Sequence, residues 1–183
     1  MTVKVWAIGV SSAVLAAYGA GLLYEGYIGK GYLGAMTFPF IDRASAERAY
    51  DALPAKAPLA VREAAAARLL KADPASARSW ALISYMDWLG HGYHLTPVGL
   101  DALDRSYTMS PYDHDIAPWR ASFALENWDS LTPALRQAEA SEINWIFSRD
   151  SAVSVDLKHR LTTVRNPTGR SFARLELVLA PAG

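Results

Sequence analysis

Cysteine is absent from the 183 residues. That excludes disulfides, cysteine-ligated zinc and thiol catalysis, and leaves the redox compartment open. A surplus of either charge is also missing: Lys plus Arg and Asp plus Glu both number 18. No basic excess points to nucleic acid, and no acidic run suggests a disordered tail. Runs of β-branched residues are few, whereas Ala and Leu are plentiful and ten prolines punctuate the chain. This pattern predicts an all-α fold of helices joined by short turns. Neither Gly-x-Ser-x-Gly nor His-Glu-x-x-His occurs, so no catalytic motif and no cofactor are expected.

What is present starts with Val5 to Tyr24, a stretch of twenty residues without a charge. An α-helix of that length crosses a hydrocarbon core of roughly 30 Å. The run reads as one N-terminal transmembrane helix after a short cytoplasmic tail, residues 1–24 together. Ala17-Tyr18-Gly19 is a passable signal-cleavage site, but the apolar run continues through Leu22 and Leu23, which favours an uncleaved anchor. Gly9, Ala13, Ala17 and Gly21 recur every fourth residue, a spacing that lets a second membrane helix approach closely. Residues 25–41 follow as a Gly- and Tyr-rich membrane-proximal linker. Met1 to Lys4, with its one Lys, weakly favours a cytoplasmic N-terminus, which would place residues 42–183 in the periplasm of a bacterial inner membrane.

From Asp42 onward the pattern is helical. Helices are expected from Asp42 or Ser45 to about Leu53, Leu59 to Lys71, Ser76 to Leu89 and from Thr96-Pro97 to Ser110. Further helices are expected over Asp115–Asn127, Pro133–Phe147 and Val153–Thr163. Thr96-Pro97 and Thr132-Pro133 are helix-start signals, a capping hydroxyl followed by proline in the first turn. Asn166-Pro167-Thr168-Gly169 reads as a turn. The tail Arg170 to Leu179 fits either a helix or a strand, with helix favoured.

Two stretches look alike. Asp73-Pro74 precedes Trp80, Tyr85 and Leu89-Gly90; Ser110-Pro111 precedes Trp119, Phe123 and Trp128, with the prolines 37 residues apart. A helix–turn–helix unit of about 34 residues with an early Trp and a closing Pro is the tetratricopeptide pattern. The match is partial, so the expected fold is a degenerate tetratricopeptide-like array of helical hairpins behind the membrane helix.

A more specific resemblance is carried by Arg105-Ser106-Tyr107, Ser110-Pro111-Tyr112-Asp113, Trp119-Arg120, Phe123 to Trp128, Leu131, Leu135-Arg136, Glu142 and Pro167 to Arg170. These residues resemble small membrane-anchored tetratricopeptide-like proteins of α-proteobacteria associated with exopolysaccharide or O-antigen polymerase and ligase systems. The resemblance implies a non-catalytic scaffold or accessory protein in polysaccharide biosynthesis that docks an integral membrane or periplasmic partner. It supplies no catalytic residue.

Candidate chemistry is thin. His91 and His94 could ligate a metal, but they sit in a glycine loop with no third ligand at a matching spacing, so no metal site is expected. Asp113-His114-Asp115 could do acid–base work; its place at a helix start favours capping. Trp119, Arg120 and Trp128 form a candidate groove, since aromatic faces stack on sugars or peptide side chains and Arg120 could meet an acidic group. The competing reading makes Trp80, Trp119, Trp128 and Trp145 core wedges, with Arg120 and Glu126 paired inside the bundle and Arg136 and Glu142 on a solvated face. The alternatives to a scaffold are a carbohydrate-binding or carbohydrate-active periplasmic module and an accessory subunit of a larger membrane complex.

Overall fold

The computed structural model describes residues 39–149 and 151–180. They are all-α, with no strand among the described residues. The chain divides into two compact units, Met1–Leu53 and Pro54–Gly183. In the first, helix α1 (Pro39–Asp51) carries Asp42 in its first turn and an Arg43–Glu47 ion pair one turn apart.

The second unit contains α2 (Leu59–Ala72), α3 (Ala77–Gly90), α4 (Pro97–Met109), α5 (Ala117–Glu126), a 3₁₀ turn at Trp128–Ser130, α6 (Pro133–Arg149), α7 (Ser151–Thr162) and α8 (Pro167–Leu179). The starts follow capping chemistry. Ser76 Oγ accepts from the Ser79 N–H, Thr96 Oγ1 from the Val98 N–H and Thr132 Oγ1 from the Leu135 N–H. The α3–α4 turn needs left-handed backbone at Gly92 and Tyr93, at φ 66° and 68°. It is tied by Asp87, whose carboxylate accepts from the Thr96 N–H at 2.9 Å and the Thr96 hydroxyl at 2.7 Å.

Asn166-Pro167-Thr168-Gly169 is the first turn of α8, which corrects the expected free turn: Asn166 Oδ1 accepts from the Gly169 N–H at 2.8 Å. Glycine here serves close packing. A Cβ on Gly169 would lie 2.0 Å from the Leu125 carbonyl oxygen. Each second helix of a hairpin therefore opens on a polar cap and proline: Thr96-Pro97, Thr132-Pro133 and Asn166-Pro167, at steps of 36 and 34 residues. The unit is a set of three hairpins, α3–α4, α5–α6 and α7–α8, preceded by α2 against α3. This arrangement is consistent with a tetratricopeptide-like repeat, in which each hairpin has one apolar face and needs its neighbour to cover it. Leu103, Leu125, Leu135, Ile143, Ile146, Leu157 and Leu161 fill the core between them.

The membrane-anchored architecture expected from the sequence is corrected. Among the described residues no helix is long and apolar enough to cross a membrane. The longest of them, α6, has 17 residues and carries Arg136, Glu139, Glu142 and Arg149, where a span needs about 20 mostly apolar ones. The expected span Val5–Tyr24, with Gly9, Ala13, Ala17 and Gly21, lies outside the described residues. The single-pass inner-membrane placement, the partner held through a membrane helix and the anchored scaffold are not carried forward; an all-α helical-repeat unit capable of protein contacts is.

Candidate functional site

The residues with unusual chemistry converge between the hairpins. Arg120, from the first turn of α5, is fully buried. Its Nε donates to Glu142 Oε2 at 3.1 Å and its Nη2 to Glu142 Oε1. Nη1 donates to the Ser106 carbonyl at 2.8 Å and to the Ser106 hydroxyl at 3.1 Å, while Nη2 also reaches the Ser110 carbonyl at 3.0 Å. The guanidinium lies 4.1 Å from the centre of the Tyr107 ring. Tyr107 donates its hydroxyl to Glu139 Oε2. One cluster thus ties α4, α5 and α6.

Its electrostatics follow from burial. Loss of water raises the Glu139 carboxyl to about 8, helped by the charge of Glu142; the Tyr107 hydrogen bond and Arg120 pull the other way. Burial likewise raises Glu142, against the bonds from Arg120, with Asp113 adding to the rise. Burial lifts Tyr107 well above the ordinary phenol range, and the charges of Glu139 and Glu142 add to it. Burial lowers the Arg120 pKa, but the Glu142 hydrogen bond and charge overcome this and leave it raised.

The candidate groove residues separate. Trp119 is half-buried, stacked on Phe123 at 5.1 Å and edge-on to Tyr85, and it lines an open cleft. Arg120 faces the interior and pairs with Glu142, not Glu126. Trp128 is buried and stacks on Phe172 of α8 at 4.4 Å. Glu126 instead accepts from the Arg165 and Asn166 N–H groups, at 2.8 and 3.0 Å, and so holds the start of α8. Glu142, expected on a solvated face, is buried; the α6 side that carries it is covered by α4 and α5.

Asp113-His114-Asp115 makes a local turn in which Asp113 Oδ1 accepts from the Asp115 N–H. The helix itself starts later, after Ile116, with no side-chain cap, which corrects the expected capping role. His114 sits edge-on to Trp145, which also stacks on Tyr112 at 5.1 Å. His91 and His94 are exposed, and among the described residues no group of three His, Cys, Asp or Glu is placed to hold a metal.

Sequence reading missed Glu139. Its signal was faint: glutamates three apart on one helix face, opposite a Tyr and an Arg on neighbouring helices.

Two open clefts flank the cluster. One, of about 320 Å³, lies between α5 and α7, walled by Pro118, Trp119, Val153, Asp156 and Arg160 with His114 at its rim. The other, of about 370 Å³, lies between α4 and α6, with Tyr107 and Glu142 beneath it and Asp104, Tyr112, Gln137 and Ser141 around it. Compared with known proteins, the chain matches no family model, no curated protein and no solved structure. The fold and the clefts therefore define it only as an all-α helical-repeat protein.

Proposed function

We propose that the Pro54–Gly183 unit is a non-catalytic helical-repeat domain that works by contact with another protein. One observation carries this reading. The first helices of the second and third hairpins, α5 and α7, lie side by side and leave an open cleft with the half-exposed Trp119 in its wall. Aromatic side chains at such positions supply large contact area at little entropic cost. The non-catalytic part rests on where the perturbed groups are. Arg120 donates to Glu142, Ser106 and Ser110 and Tyr107 donates to Glu139, so although Tyr107 and Glu142 floor the cleft between α4 and α6, their polar atoms are engaged in the core instead of being free for acid–base work on a substrate.

Photocrosslinking tests it. Benzoylphenylalanine at position 156, in the cleft, is expected to give a discrete protein adduct in the cells that make this chain. The same group at position 98, on the exposed start of α4, is expected to give none. No adduct from position 156, or equal adducts from both, overturns the reading.

A further inference from the structure

The lining of the α5–α7 cleft sets what a partner must offer it. Pro118 and Trp119 of α5 and Val153 of α7 give it an apolar wall. Trp119 stacks on Phe123 and packs edge-on to Tyr85, yet it stays half-exposed. The charges are lopsided. Asp115, Asp156 and Arg160 line the cleft, with His114 at its rim. Arg160 Nε is already spent on Asp156, at 2.9 Å. Asp115 is exposed, and among the described residues no hydrogen bond or ion pair engages its carboxylate. Asp113 adds a second acid two residues earlier. Arg149 and Lys158 do not line the cleft; they sit over the Trp145 and Phe147 rings, at 5.8 and 5.6 Å. Arg120, next to Trp119 in the chain, would reverse the sign, but it is turned into the core and held by Glu142, Ser106 and Ser110. The charge left uncompensated at the cleft is therefore negative.

We infer, resting on the contact function proposed above, that this cleft takes a basic, apolar segment of the partner protein. A large apolar side chain packs against Pro118, Trp119 and Val153, and a neighbouring lysine or arginine meets Asp115. The apolar contact supplies most of the affinity, because desolvated aromatic anchors dominate interfaces. The charge selects the partner, because an acidic segment would be repelled by Asp115. The size suits side chains better than a cofactor. At about 320 Å³ the open cleft is at the bottom of the range for small-molecule sites, roughly 300–1,000 Å³.

The probe is a degenerate octapeptide library with leucine fixed at its centre, equilibrated with the immobilised full chain, the bound pool then being sequenced. Beside the leucine, lysine and arginine are expected to be enriched over aspartate and glutamate by about two- to fivefold, and by less in high salt. Asp115→Asn is expected to abolish that preference and to change total retention little. Asp104→Asn, at the cleft between α4 and α6, is expected to leave the preference intact. Trp119→Ala is expected to cut retention by about tenfold or more. The Asp115→Asn arm keeps the test decisive should Trp119→Ala fail to fold, since the Asp115 side chain holds nothing in the described fold. A bound pool with neutral or acidic flanks, no bound pool at all, or a basic preference that survives Asp115→Asn overturns the inference. The adduct from position 156 is a separate result: with that adduct and without the basic preference, the contact function stands and the basic, apolar partner does not.

Discussion

Two sets of ion pairs in this chain use the same chemical groups in opposite ways. On the surface, Arg105 Nε meets Asp101 at 2.8 Å and Arg160 Nε meets Asp156 at 2.9 Å, each within one helix turn, with all four side chains 40% exposed or more. In the core, Arg120 meets Glu142 across two helices with both side chains essentially sealed. Water screens the first set and already solvates its members, so forming the pair changes little. The second set has lost its water, so each member depends on the other and on the carbonyls of Ser106 and Ser110 for its solvation. Geometry at the nitrogen is similar in both. What differs is the cost of being left alone.

The comparison can be broken at several points. The largest effect is expected from Arg120→Met. It strands Glu142 in the core and leaves the Ser106 and Ser110 carbonyls without their side-chain donor, for a loss of about 3–5 kcal/mol in denaturant-derived stability. Adding Glu142→Gln to it is expected to recover part of that loss, because the stranded charge is gone. Next comes Gly169→Ala, which tests the buried side without touching charge. Its Cβ would meet the Leu125 backbone at 2.0 Å, which no rotamer change relieves, and a cost of about 1–3 kcal/mol or more is expected. Gly90→Ala is the matched control: its Cβ makes ordinary contact at 3.5 Å, and thermal unfolding should shift little. The smallest effect is expected from Arg160→Ala, under about 1 kcal/mol and shrinking further in high salt. A surface pair that cost as much as Arg120 would erase the distinction.

Much of the hairpin framework was legible in the residues. Ser76, Thr96-Pro97 and Thr132-Pro133 mark helix starts because a hydroxyl beside free N–H groups is local chemistry, complete within four residues. The third hairpin was harder to see. Asn166-Pro167 has the same cap-and-proline logic, but Gly169 two places later argues against a helix when judged locally, and no early Trp announces the repeat. Its glycine makes sense only against Leu125, more than forty residues away in the chain. The polar core was less legible still. Arg136 and Glu142 read as charges on a solvated helix face, Glu139 drew no reading at all, and nothing within α6 distinguishes the two buried glutamates from the half-exposed arginine. The Trp119–Arg120 pair shows the same limit: adjacent residues, one of which lines an open cleft while the other is the cation at the centre of the core.

The sequence by itself determined that Pro54 onward is helical and where most of those helices start, because periodicity, capping and proline placement act over a few residues. It also determined which groups are available: one set of carboxylates, phenols and guanidinium groups, and no thiol. Only the tertiary structure decided which of those charges lost their water. Solvation is set by what packs over a side chain, and for Arg120 and Glu139 the covering residues come from other helices. That is why a chain with balanced charge overall can hold, at one point in its core, more carboxylates than cations.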